Sequence, residues 1–139
     1  MLHLIKLCVG VRDIAHLREL QAARTTTDPP LRHRTRNHPR RAAEIIDGGS
    51  MYWVIGGAVA VRQRVLDIIE DRRDDGTPCA GIVLDAALVP VAGRLMKPFQ
   101  GWRYLPAADA PEDLADAGMA NGANLPAKLR RDLQALGLI

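Results

Sequence analysis

Five arginines and two histidines fall in the ten residues 32–41, RHRTRNHPRR, and no acidic residue interrupts them. A guanidinium is a planar fork of donors that matches phosphate oxygens in pairs. Arg32, Arg34, Arg36, Arg40 and Arg41 are therefore the first candidates for holding a phosphate-bearing ligand. Arg62 and Arg64, two residues apart, would add two more on one face of a strand. The five aromatic residues occupy two short windows, Tyr52–Trp53 and Phe99–Tyr104. Bases of single-stranded RNA stack on such rings at about 1–3 kcal/mol each. That adds Trp53, Trp102 and the adjacent Arg103 to the candidate site, and it makes RNA the expected partner.

The same features have plainer explanations. A run of charge is usually a solvated loop, and strand tryptophans usually belong to a core. The ratio of 16 arginines to 3 lysines, beside 20 alanines, is also what a GC-rich coding sequence produces. In strands, Tyr52 and Trp53 point to opposite faces while Trp102 and Tyr104 share one. The aromatics can all be core only if both faces of a sheet are covered.

Charge is unevenly placed along the chain. Residues 1–64 carry 11 Lys/Arg against 5 Asp/Glu, and residues 65–139 carry 8 against 11. Folding of the acidic segment 109–116 onto the arginines would neutralise them within the molecule, as in a protein-interaction module. An enzyme would instead need a pocket near Asp85 and Arg103, with Gln100 or Gln63. An aspartate ending an apolar run, however, more often closes a turn. Ser50 lacks the GxSxG setting of a nucleophile elbow, and no GxxxxGK[ST] or GxGxxG motif occurs, so no cofactor is implied. His33 and His38 stand among arginines that would repel a cation, so no metal site is expected. His3 and His16 lie among apolar neighbours and are expected to pack. Cys8 and Cys79 form no CxxC pair and are expected to be reduced, buried thiols.

The elements that must position these residues follow from hydrophobic periodicity and turn chemistry. A chain of 139 residues, 47% hydrophobic and 25% charged, fits one domain over 1–139. A strand is expected at 2–9. A helix follows over about 12–24 with Ile14, Leu17 and Leu20 as its apolar stripe, ended by Thr25–Pro30. The arginine run contains no apolar side chain and reads as a loop leading into a short helix at 39–46. MYWVI (51–55) is a strand, and Gly56-Gly57 suits a tight hairpin. Residues 58–69 satisfy strand and helix periodicity alike, and the hairpin signal favours a strand with Val59, Val61 and Val65 on one face. Strands are further expected at 79–85, 88–91 and 99–105, and helices at 109–118 and 125–136. The fold class is α+β: a small, mostly antiparallel sheet or partly closed barrel with flanking helices, an order of elements shared with PUA and ASCH RNA-binding barrels. No stretch approaches the ~20 apolar residues of a membrane helix, and the opening MLHLIKLCVGV is broken by His3 and Lys6, so a cytoplasmic protein without a membrane partner is expected.

LIKLCVGV at the start, the pattern TR..P.RA.EI.DGGS, then YWVI, VRQRV, VLD..LVPV and PFQGWRYL together resemble a bacterial family known only as domain of unknown function 1489. The resemblance covers most of the first 105 residues. Ala86 stands where that family has proline after VLD, and the AGRLMK approach to Pro98 also departs from its pattern. The family carries no assigned activity. The resemblance therefore implies a bacterial, cytoplasmic setting and no mechanism.

Overall fold

The computed structural model of the chain describes residues 1–114. Within them seven strands and two helices follow one another as β1 (Leu2–Leu7), α1 (Ile14–Thr27), β2 (Arg32–Thr35), α2 (Ala42–Ile46), β3 (Ser50–Ile55), β4 (Ala58–Arg72), β5 (Pro78–Leu84), β6 (Val89–Pro90) and β7 (Trp102–Pro106). The strands join in the order β2-β5-β4-β3-β1-β7, with β6 on the edge of β4 opposite β3. Only β1 and β3 run parallel. The segment between them, holding α1, β2 and α2, supplies the long connection that a parallel pair requires.

β4 is a strand throughout and runs to Arg72. Gly56 and Gly57, at φ +62° and +83°, take the left-handed turn that joins it to β3. Its first half pairs with β3 and its second half with β5. Two bulges mark the handover, since the register skips Ala60 and then Leu66. Each extra residue reverses the alternation. Val59 therefore faces away from Val61 and Val65, contrary to the simple pattern, and packs beside Val54 and Tyr52. Past the second bulge Ile68, not Asp67, returns to the side of Val65.

The sheet curls into a half-barrel. His33 on β2 and Trp53 on β3 meet edge to face at 5.3 Å between ring centroids, although β5 and β4 lie between their strands. On a flat sheet those two strands would be about 14 Å apart. Both faces are covered, so the aromatics divide. Trp53 joins Leu4, Ile45, Met51, Val61 and Ile82 beneath the helices. Tyr52 joins Ile5, Val59, Val91, Phe99 and Leu105 on the other side.

Asp13 caps α1 by accepting the His16 amide at 2.8 Å, and the His16 ring accepts the Arg12 amide at 3.1 Å. The helix continues past the expected stop. Thr25, Thr26 and Thr27 return their hydroxyls to the carbonyls of Gln21, Ala22 and Ala23, which keeps these β-branched residues helical up to the Pro29–Pro30 pair. The buried stripe also differs from expectation: Leu17 and Gln21 face inward, while Leu20 is exposed. Gln21 is buried because Gln63, fully buried on β4, meets it amide to amide. Each side chain donates to the other, at 2.7 and 2.8 Å. Gln63 Oε1 also accepts the Trp53 indole N–H at 2.8 Å, and Gln63 Nε2 donates to the Asp85 carbonyl at 3.0 Å.

At Gly49 there is no room for a side chain. A Cβ would stand 2.1 Å from the Leu2 carbonyl oxygen and 2.4 Å from that of Ile45. The acidic helix expected from 109 does not begin there: a 3-10 turn at Ala107–Asp109 and an extended stretch in which Asp113 bridges to Val91 come first, and Leu114 is the first helical residue. The remainder of that segment and the helix expected at 125–136 lie outside the described residues.

Gln63→Leu preserves volume but strands the Gln21 amide and the Trp53 N–H inside the protein, so unfolding in urea should show a loss of about 2–3 kcal/mol. The double variant Gln21→Leu/Gln63→Leu, which removes both amides, should recover part of that loss.

Candidate functional site

The arginine run divides at Thr35. Its first half is no loop: Arg32–Thr35 is an edge strand on β5. With period-two alternation, Arg32 and Arg34 share one face and His33 turns to the other. Arg32 donates from Nε to Asp71 and from Nη2 to Asp28, the latter at 3.3 Å. Arg34 donates to Asp71 at 3.2 Å, Asp74 at 3.2 Å and Asp28 at 3.1 Å. Gly81 lies opposite Arg34, and a Cβ there would press on Asp71 and Arg32, so its bare backbone makes space for the cluster. Two guanidinium groups thus meet three carboxylates, and their forks are already engaged. The hydrogen bond from Arg32 is the main force holding the Asp71 carboxyl down at about 2.

The second half of the run crosses from β2, at one edge of the sheet, to β7 at the other. Pro39 is fully buried and anchors this strap. Arg36 and Arg40 are exposed and make no ion pair among the described residues. Arg41 lies over Tyr104, its guanidinium carbon 5.6 Å from the ring centroid, and its amide donates to the Tyr104 hydroxyl at 3.2 Å. Tyr104 in turn meets Trp102 edge to face at 5.1 Å, both rings half-buried. Arg41 also forks onto Glu44, but both partners of that pair are about half exposed (52% and 50%). Such a solvated pair contributes little and yields to a competing anion.

The other expected residues are placed elsewhere. Trp53 is only 4% exposed with its N–H on Gln63, so its faces belong to the core. Arg62 forks onto Asp113 with two bonds of 2.7 Å and donates to Ser50 at 3.2 Å. The acidic segment therefore does neutralise an arginine, but through Asp113 and Arg62, while the run itself is met by Asp28, Asp71 and Asp74. Arg64 donates to the Ile46 carbonyl at the end of α2. Arg103 is on the face of β7 away from Trp102 and lies over Phe99 at 4.6 Å. Asp85 accepts the Ala87 amide at 2.9 Å and so closes a turn. Three strands separate the strand it ends from the one carrying Arg103, so these two are not brought into one pocket by the sheet. His3 packs on Tyr52 and accepts the Ser50 amide. Cys8 and Cys79 are free thiols. Among the described residues no three His, Cys, Asp or Glu side chains group to hold a metal ion, and no helix is long and apolar enough to cross a membrane.

Three residues at these sites escaped the sequence reading: Tyr104 as a partner of Arg41, and Lys6 and Arg24, which line a cavity beneath α1. For Lys6 a signal existed, a lone cation in the apolar strand LHLIKL.

Asp71→Asn should lower stability at neutral pH by about 2 kcal/mol, the value of a hydrogen bond to a charged group. Because the folded carboxyl titrates near 2 and the unfolded one near 3.9, this contribution is full above about pH 4 and fades as pH falls toward 2. Urea midpoints of wild type and variant should therefore converge across that window.

No curated protein and no solved structure matches the chain. One family model does, the one described as "Protein of unknown function (DUF1489)", over residues 4–139. That match spans nearly the whole chain, which belongs to this family of unknown function.

Proposed function

We propose that the protein binds single-stranded RNA along the strap that joins the two edges of its half-barrel. The observation that carries this reading is Arg41 lying over Tyr104 and Tyr104 meeting Trp102 edge to face, with Arg36 and Arg40 exposed on the same six-residue segment. Cations along a groove bind the phosphates of a single strand, and aromatic rings beside them take the bases. The strap supplies Arg36, Arg40 and Arg41, and β7 supplies Trp102 and Tyr104. Glu44 holds Arg41 in place in the free protein and gives it up to phosphate at little cost, since the pair is solvated. Arg32 and Arg34 act differently. They hold β2 on the sheet through Asp28 and Asp71 and so position the start of the strap.

The test is fluorescence anisotropy with a labelled oligouridylate over a salt series. Each phosphate neutralised on a single strand contributes about 0.7 to the slope of log affinity against log salt, so replacing Arg36, Arg40 and Arg41 with alanine should reduce the slope by about 2. Trp102→Ala should weaken binding by about 1–3 kcal/mol per stacked base with the salt slope kept. Affinity indifferent to salt, or a triple variant that binds like wild type, would overturn the proposal.

A further inference from the structure

A cavity of about 170 Å³ opens between α1, the end of β1 and β2, with exposed Val9 and Arg24 at its rim. Its walls combine Leu17, Leu31 and Trp53 with Lys6, Arg24 and His33. Arg32 also reaches it, but no carboxylate lines it. Lys6 stands on β1 directly between Trp53 on β3 and Trp102 on β7, so its stem runs along aromatic walls. Arg24 is in the last turn of α1 and forms no ion pair among the described residues. His33 faces Trp53, and its ring nitrogens have no hydrogen-bond partner there.

We infer that this cavity is a binding site for a small organic anion, its carboxylate or phosphate head held by Lys6 and Arg24 and its apolar body against Leu17, Leu31 and Trp53. Three observations lead there. The two cations have no carboxylate to neutralise them within the cavity, and an anion would. The volume fits one ring with a small head group, since a cavity of about 150 Å³ accommodates benzene. A cavity with apolar walls and a few converging polar groups is the usual form of a small-molecule site, and the mouths of barrels are a common place for it.

The electrostatics agree. Burial first, then the charges of Lys6 and Arg24, hold the His33 imidazole down at about 4, so it is neutral at pH 7 and offers one donor and one acceptor. The Cys8 thiol, also in the wall, is pushed up to about 11 by burial and stays protonated. The site is thus equipped to bind and not to attack.

The experiment uses the full-length chain and follows the Trp53 indole and His33 ring resonances by NMR. The probes are benzoate, phenyl phosphate, benzamide and inorganic phosphate. Saturable shifts with benzoate or phenyl phosphate, at least tenfold stronger than with benzamide, are expected from the worth of a charge-assisted hydrogen bond, about 1.5–3 kcal/mol. The stronger of the two anions identifies the head group. Lys6→Met and Arg24→Gln should each weaken the preferred anion about tenfold. A bound anion should also raise the pH at which His33 titrates, because it offsets the two cations. Arg24 is exposed on α1, so that variant folds even if Lys6→Met does not. Benzamide binding as tightly as benzoate would overturn the inference. So would inorganic phosphate matching phenyl phosphate, Arg24→Gln binding like wild type, or the absence of saturable shifts with either anion.

Discussion

A single carboxamide ties the molecule together. Gln63 is fully buried on the longest strand, and its two acceptor positions and two donors all have partners: two on Gln21 of α1, one on the Trp53 indole of β3 and one on the carbonyl at the end of β5. A primary amide offers no more than this. Hydrophobic burial can press a helix onto a sheet, but it does not choose a register, because apolar contacts are not directional. The reciprocal amide pair does choose. It turns α1 so that Gln21, and not Leu20, faces inward, and it fixes the indole of Trp53 as one wall of the cavity.

The curl of the sheet supplies the second constraint. β4 begins beside β3 and finishes beside β5, with a bulge before each half is complete. The two free edges of the sheet, β2 and β7, are joined by the strap, whose buried Pro39 secures it and whose arginines remain outside. The charge asymmetry of the chain acquires a structural sense. Basic residues of the first half meet Asp71, Asp74 and Asp113 from the second, so much of the imbalance is settled by ion pairs between segments far apart in the chain. Among the cations without an ion pair in the described residues, Arg36 and Arg40 lie on the strap and Lys6 and Arg24 line the cavity.

Much of this was legible in the sequence, and what was not has identifiable physical causes. Gly56-Gly57 announced the hairpin, the apolar runs announced β3 and β5, and the adjacency of Tyr52 and Trp53 meant that both could be core only in a sheet covered on both faces. The strand at Arg32–Thr35 was hidden because its inward face is built from His33 and Thr35, and its outward face is stabilised by carboxylates up to 40 residues away. Composition records the arginines but not their partners. The bulges at Ala60 and Leu66 carry no glycine to betray them, so the alternation of β4 reads as regular when it is reversed twice. Gln21 was passed over because a glutamine on a helix is ordinarily solvated, and only its mate on β4 makes burial favourable. Of the candidate site, Arg41 and Trp102 meet at Tyr104, and Arg36 and Arg40 are exposed on the segment leading to Arg41, while Trp53 is core because its indole N–H finds Gln63 inside the fold.

β1 has a place in the sheet that bears on how the chain acquires its shape. It lies between β3 and β7, paired parallel with one and antiparallel with the other. Among the described strands it is made first, yet both of its neighbours are made later, and β7 is the last of them. The hairpin of β3 and β4 and that of β4 and β5 consist of local contacts and close quickly, whereas the β1 pairings span long loops and come late. Until then LHLIKL presents two unsatisfied backbone edges and an apolar face. Lys6 in the middle of that strand interrupts the apolar run and opposes its association with other nascent chains, before the same side chain takes its place between two tryptophans in the finished fold.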